Sequence, residues 1–404
     1  MAELSLRNYL RPKGIGAVQG ARGYDAPRRD ISLRRLMSSL RIIHISDLHC
    51  SSSPHTLDAG GLLGITIDEQ DSPSKLSALL DCLVRLKAEA RLGADSIVIT
   101  GDLTDSGDEG DYAIARGFIE LLEHQGFSVF ALPGNHDYYI EGNKIIAEVL
   151  HALTQIPAPP HLDPLEIPGF DRMLEAILAN WRLPATLVPI FRQLFKAHPD
   201  IADNQARRQR FIQYITPDDS SKYPRYVDLP NGCLILLDSI QGQLDETTGD
   251  LFAQGYLGTE QLVKLQCYVA AYQEARTQGK QLLVCLHHSP FIIPDEHERD
   301  ETPLVRVDSS IVLRDRGALL DILKDQVDGL LFGHTTPAQC DQQPHTEAEW
   351  AAFSAAAQEY HIPLINCVNL ERMSTHYSVS VIDLGACQRA VFQTDRPDLA
   401  PTLS

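Results

Sequence analysis

The 404-residue sequence has no apolar run near the ~18 residues a membrane-spanning helix needs, and its apolar stretches are strand-length, as at 282–286. A soluble chain with no membrane partner is expected. The N-terminus lacks an apolar signal core, so secretion is not expected either. Eight cysteines stand at 50, 82, 233, 267, 285, 340, 367 and 387, and none forms a CxxC pair. In a chain of this length that scatter reads as free thiols in a reducing, cytoplasmic compartment, without a disulfide frame or a zinc knuckle. Ser289 lies beside two histidines, but no Gly-x-Ser-x-Gly elbow surrounds it, which argues against a serine hydrolase. No GxxxxGK[ST] loop occurs, which removes the P-loop NTPases. Internal repeats and low-complexity tracts are absent.

Basic residues are the minority, 35 Lys and Arg against 54 Asp and Glu, for a net charge of −19. That field repels a phosphate backbone and disfavours a nucleic-acid partner. The first 41 residues run the other way, with nine Arg or Lys against three acids, a local +6 that leaves −25 for the rest. Residues 1–40 are therefore assigned to a basic N-terminal tail. An organelle transit peptide, a disordered tail and a true start at Met37 all fit it. What the chain has in quantity is 44% hydrophobic residues, enough for a sizeable core, which excludes whole-chain disorder. The length suits two or three domains, or one large α/β domain with insertions.

From residue 42 to 137 strand and helix patterns alternate. Apolar runs at 42–45, 96–100 and 128–132 are read as strands. A helix begins at Ser72-Pro73 with Leu76, Leu79, Leu83 and Leu86 on its buried face, and a second buries Ile114, Phe118, Leu121 and Leu122. Residues 138–222 break this rhythm with helix-like stretches (141–153, 171–181, 186–197, 202–214) between prolines, and read as a helical insertion able to cap a site. Alternation resumes with a hairpin, 225–229 and 233–237, around Asn231-Gly232. A helix follows from Thr259, with Leu262, Leu265, Val269 and Tyr272 inward, then strands at 282–286 and 329–332. A helix over 346–360 and strands near 363–368, 376–384 and 389–393 complete the pattern. Alternation of this kind implies parallel pairing, which gathers polar residues at the carboxyl ends of the strands.

Five of those strand ends finish in metal-ligand residue types: Asp47 and His49, Asp102, Asn135 and His136, His287 and His288, and His334. A lone histidine there is more often structural, but five such ends in order are hard to reach by chance. Asp47-x-His49 on an extended segment would put a carboxylate and an imidazole on one side. Asp102 follows a glycine that permits a sharp turn, and its two oxygens can bridge two ions. Mixed oxygen and nitrogen donors without cysteine suit Mn, Fe, Zn or Co. A pair of such ions is a known solution for phosphoryl hydrolysis.

Asp47-Leu48-His49, Gly101-Asp102, Gly134-Asn135-His136-Asp137, His287-His288 and Gly333-His334 resemble the ordered motif set of the calcineurin-like metallophosphoesterase superfamily. The resemblance runs from about residue 42 to 334. It implies a four-layer α/β/β/α sandwich over 41–395, with 138–222 as a helical cap and 396–404 as a C-terminal tail. The stretch 101–107 is most similar to the bacterial class III branch of cyclic-nucleotide and glycerophosphodiester phosphodiesterases. By this resemblance Asp47 and His49 hold a first divalent ion and Asp102 bridges. Asn135, His287 (with His288 as the alternative) and His334 hold a second. His136 serves the leaving oxygen and Asp137 orients its imidazole. The implied reaction is hydrolysis of a small-molecule phosphoester, more specifically a phosphodiester, by a metal-bound hydroxide.

One position departs from the family pattern: Thr336 stands where a final histidine completes the first ion's shell, and His345 or His376 could replace it. Two other readings therefore stay open, a non-catalytic metal- or ligand-binding protein with a degenerate site, and a nuclease of the same superfamily. His44 is read as a packed core histidine. The acidic run Asp105, Asp108, Glu109 and Asp111 is read as a solvated loop and helix start.

Overall fold

The computed structural model describes residues 39–52, 72–105, 107–138, 204–216, 223–241, 255–291, 313–334, 355–368, 378–393 and 402–403. All lie in one compact unit, residues 38–404. Most of the N-terminal tail and of the 138–222 insertion, with Thr336, His345 and His376, lie outside the described residues.

The elements run β1 (Arg41–Ile45), α1 (Ser72–Ala88), β2 (Ser96–Thr100), α2 (Glu109–His124), β3 (Ser128–Leu132), α3 (Asn135–Tyr138) and α4 (Asn204–Ile215). They continue with β4 (Arg225–Leu229), β5 (Gly232–Leu236), α5 (Thr259–Thr277), β6 (Gln281–Cys285), α6 (Arg316–Leu323) and β7 (Gly329–Phe332). β8 (Ile365–Cys367), β9 (Ser378–Asp383), β10 (Gln388–Gln393) and β11 (Thr402–Leu403) complete the order.

The strands form two mixed sheets, ordered β11-β10-β9-β1-β2-β3 and β4-β5-β6-β7-β8. β1 to β3 are parallel, as are β5 to β8, while the hairpin β4–β5 and the partners β9 to β11 are antiparallel. The site-bearing strand ends are thus shared between two sheets and do not lie on one edge of a single sheet.

Both faces of the central strands are buried, so their sequences are continuous apolar runs. Period-two alternation then sorts them into layers. Ile42, Val98, Leu132, Leu236, Leu283, Cys285 and Leu331 meet between the sheets. Ile43, Ile45, Ile97 and Ile99 face α1 and α2 instead, and Ile235, Val284 and Leu330 face α5 and α6. Each large side chain buried this way contributes about 1.5–3 kcal/mol, which leaves the loops at the strand ends free to serve geometry other than packing. The four-layer order therefore follows from which alternate residues find which partner.

Several local expectations need correction. Leu121 is exposed, because the buried stripe of α2 runs through Tyr112, Ala115, Ile119 and Leu122, and one residue step turns a helix by about 100°. On α5, Gln261 is buried where Leu262 is only half-buried. Its amide accepts from the Asp238 N–H (2.9 Å) and donates to the Asp238 carbonyl (2.8 Å). α6 was not legible, since an eight-residue helix carries little periodicity. Of the acidic run, Asp108 and Glu109 are exposed, but Asp105 and Asp111 are buried. Leu40, assigned to the tail, is buried and donates its N–H to Gln281 Oε1 at 2.6 Å. Thr402 and Leu403, assigned to a C-terminal tail, pair with Val391 and Ala390 of β10.

Candidate metal centre

The loops leaving β1, β2 and β7 carry their key residues in left-handed backbone: Asp47 at φ 57°, His49 at 45°, Asp102 at 48° and His334 at 63°. Each such non-glycine residue costs on the order of 1–3 kcal/mol and persists only where its surroundings fix it. Asp47 and His49 therefore reach the site by a turn, and not by the extended alternation inferred from Asp-x-His spacing. The turn is fixed by N–H donation from Asp47 to the Gly101 carbonyl and from His49 to the Asp102 carbonyl, both at 3.0 Å. Gly101 itself has φ +98°, and a Cβ there would lie 2.5 Å from His287 Nδ1. A Cβ on Gly134 would collide with the Asp102 carboxylate. Both glycines are needed for donors to crowd together.

Four donors from both sheets converge. His287 Nε2 lies 3.0 Å from Asn135 Oδ1, 3.1 Å from His334 Nδ1 and 3.3 Å from Asp102 Oδ2. The other ring nitrogen, Nδ1, donates to the Thr100 carbonyl at 2.7 Å, which leaves the Nε2 lone pair for the cluster in the neutral ring. His287 continues the inter-sheet face of Leu283 and Cys285, whereas His288 continues the opposite face. The His288 Nδ1 instead meets Ser239 Oγ at 2.7 Å. His288 is fully buried, with its ring 4.4 Å from that of His334. A ligand atom of His288 lies within 4.8 Å of those of His287 and His334.

A second set adjoins the first. Ligand atoms of Asp47, Asp102 and His287 lie within 4.8 Å of one another, as do those of His49, Asp105 and His136. Asp47 Oδ2 accepts the His334 N–H at 3.2 Å, and His49 Nε2 is 3.7 Å from Asp102 Oδ2. His49 Nδ1 lies 3.5 Å from Asp105 Oδ1, while His136 Nδ1 donates to the Asp105 carbonyl at 2.9 Å. Asp105, read from sequence as part of a solvated acidic run, is buried beside these rings, and its place three residues after Asp102 is the signal that marks it. Asp137 does not take the expected part beside His136. Its carboxylate accepts from the N–H groups of Gly134 (2.8 Å), Leu103 (3.3 Å) and Thr104 (3.0 Å) and from the Thr104 hydroxyl (2.8 Å). Asp137 ties the β2 and β3 loops together, and Asp105 holds the imidazole.

Burial works against ionising Asp102, but His287, His136 and His49 outweigh it and hold the carboxyl well below its ordinary value. Burial raises Asp47 to about 6, with His287 opposing and the Asp102 charge adding to the rise. Burial also disfavours charge on His287, yet the Asp102 carboxylate raises it to about 9. Burial, reinforced by the Asp102 charge, raises Asp137 to about 7. Two buried carboxylates, Asp47 and Asp102, packed among several imidazoles are the donor chemistry of a divalent cation. The spacing agrees. Bonds of about 2.0–2.2 Å to one ion place neighbouring donors roughly 3.0–3.5 Å apart, and the contacts around His287 Nε2 are 3.0–3.3 Å. The residues fit the ions that the sequence implied.

We found no match among curated proteins. Among solved structures the chain is similar to a dimetal phosphatase from Danio rerio, at 12% identity and a TM-score of 0.43, covering 90% of this chain and 98% of that one. It is also similar to a purple acid phosphatase from yellow lupin (Lupinus luteus) seeds, at 10% identity and 0.42, covering 90% and 53%. A cold-active protein-tyrosine phosphatase from a psychrophilic Shewanella matches at 12% identity and 0.29, covering 90% and 79%. Residues 40–337, well over half of the sequence, match the family model of the calcineurin-like phosphoesterases, and the chain belongs to that family.

Proposed function

We propose that the protein is a metal-dependent phosphodiesterase acting on a small-molecule phosphodiester. The observation that carries this is the meeting of Asp102, Asn135, His287 and His334 within 3.3 Å of His287 Nε2, from strand ends of both sheets. Asn135, His287 and His334 would hold one divalent ion, Asp47 and His49 another, and Asp102 would touch both; Mn, Fe, Zn and Co all suit this donor set. When bound, such ions acidify water and neutralise phosphoryl oxygens. His136 is anchored through Nδ1, so in the protonated ring its Nε2–H is the group from which a proton can pass to the leaving oxygen, leaving the neutral Nδ1–H imidazole. The likeness of residues 101–107 to the class III branch supports a diester over a monoester. Free cysteines, five buried and two exposed among the described residues, support a cytoplasmic setting. Residues 41–395 are proposed as one domain, with α4 the described part of its insertion.

The test is hydrolysis of bis(p-nitrophenyl) phosphate and of p-nitrophenyl phosphate with added manganese, comparing the wild type with Asp102→Ala and Asn135→Ala. Faster diester turnover, lost in both variants, supports the proposal. Turnover indifferent to either substitution refutes it. Bound metal without turnover on a broad phosphoester panel favours the non-catalytic reading that Thr336 motivates.

A further inference from the structure

A buried polar chain lies between the sheets where apolar packing would be the default. Arg389 on β10 donates from Nη1 to Asn366 Oδ1 at 3.2 Å. Asn366 on β8 lies 2.7 Å, Nδ2 to Nδ1, from His44 on β1. His44 Nε2 lies 2.9 Å from Thr100 Oγ1. The Thr100 carbonyl accepts from His287 Nδ1 at 2.7 Å and from Ser46 Oγ at 3.1 Å. His44, Thr100 and Asn366 are all fully buried.

The permanent donor at one end sets the direction of the bonds. A guanidinium has no acceptor, so it must face the amide oxygen of Asn366, and the amide NH2 then faces His44. His44 Nδ1 is consequently an acceptor, and its single proton sits on Nε2, directed at Thr100. Burial, with the Arg389 charge second, pushes His44 down to about 3 and keeps the ring neutral. Four strands from two sheets thus meet on the residue whose carbonyl orients His287.

We propose that His44 is a positioning residue for the metal centre, holding Thr100 from the neutral Nε2–H tautomer so that the Thr100 carbonyl aligns the His287 ring across the two sheets. The inference rests on reading the four donors around His287 as a metal site. Because His44 touches none of those donors, its effect must pass through Thr100, and the hydroxyl and carbonyl of that one residue are the link.

The experiment measures manganese affinity by calorimetry on folded, metal-stripped protein. His44→Leu is expected to weaken binding about tenfold, the low end for removing a group that orients a ligand. His44→Gln, which keeps an N–H donor toward Thr100, should stay within about twofold of the wild type. Thr100→Val should repeat the loss and Thr100→Ser should restore affinity, which covers the case in which His44→Leu fails to fold. A merely structural role would lower thermal stability in these variants and leave affinity unchanged. Wild-type affinity in folded His44→Leu or Thr100→Val overturns the proposal. A metal-independent arm records the histidine 15N–1H correlation spectrum of the stripped protein. The Nε2–H tautomer for His44 at pH 6 supports the proposal, and an Nδ1–H tautomer or a charged ring overturns it. A wild type that binds no metal overturns the metal reading, and this inference with it, and is told apart from failure of the positioning role because the variants then have no affinity to lose.

Discussion

His287 on the five-stranded sheet donates its Nδ1 proton to the carbonyl of Thr100 on the six-stranded sheet, at 2.7 Å. This bond ties the two sheets together beside the metal centre and fixes which ring nitrogen faces Asp102, Asn135 and His334. It also means that the orientation of a proposed ligand depends on the register of a strand in the other sheet, so packing and site chemistry are one problem here.

The two adjacent histidines should separate cleanly. His287→Ala removes the nitrogen around which the other three donors gather, and should lower divalent-metal affinity by about 100-fold or more. His288→Ala removes a ring that meets Ser239, and should lose stability by about 2–4 kcal/mol while keeping the wild-type metal stoichiometry. Elemental analysis after dialysis, with urea unfolding, measures both. Equal metal loss in the two variants would contradict the assignment.

Gly101→Ala should fail for two reasons at once. Its φ of +98° strains any side chain, and the new methyl would lie 2.5 Å from His287 Nδ1. A stability loss of about 2–5 kcal/mol is expected, with weaker metal binding. Gly279→Ala is the control, since φ is +90° there and nothing lies within 4 Å of the added carbon. It should show the backbone cost alone, about 1–2 kcal/mol, and unchanged metal affinity.

Metal binding should release protons. The Asp102 carboxylate outweighs burial and raises His287 to about 9, and burial raises Asp47 to about 6. Both groups must lose a proton to ligate, so affinity rises with pH. Between pH 6 and 9 the rise should approach tenfold per unit from His287, and it should steepen below about 6 as Asp47 joins. Calorimetry at pH 7.5 in two buffers of different ionisation enthalpy should find close to one proton released per ion bound at the His287 group. Release near zero would show that the stripped protein already holds His287 neutral.

His44 makes the fold itself sensitive to pH. Its folded-state value of about 3 lies below the ordinary 6.5, so between those limits the unfolded chain binds a proton that the native chain does not. Stability from this group is complete above about pH 6.5 and is lost as pH falls, by up to about 1.4 kcal/mol per unit. Asp47 and Asp137, with raised values, pull the other way over pH 4 to 7. The clean measurement is therefore a difference. The stability gap between the wild type and His44→Gln should narrow steadily from pH 7 to pH 5, and a constant gap would refute it.

The amino-acid sequence makes most strands legible, because its apolar runs of four or five residues between turn signals are too short for helices, and it assigns β2, β3, β4 and β7 at their observed residues while missing β11. It also determined which residues could matter, since Asp47, His49, Asp102, Asn135, His136, His287 and His334 all reach one region. How they share the work emerges only once the two sheets pack together. With both sheet faces buried, an apolar strand does not announce which alternate residues face inward, so His287 and His288 look alike until Thr100 and Ser239 meet them from opposite layers. Asp105 and Asp137 could not be told apart from a solvated acidic run and an imidazole partner, because burial depends on loops closing over them from elsewhere. His44, a plain core histidine in the sequence, gains its partners from β2 and β8, with Arg389 of β10 behind Asn366. Hydrogen-bond partners separated by 56 and 322 residues in the chain leave no local signal, and the left-handed residues Asp47, His49 and His334 are likewise held by bonds from distant loops, to the Gly101 and Asp102 carbonyls and to the Asp47 carboxylate.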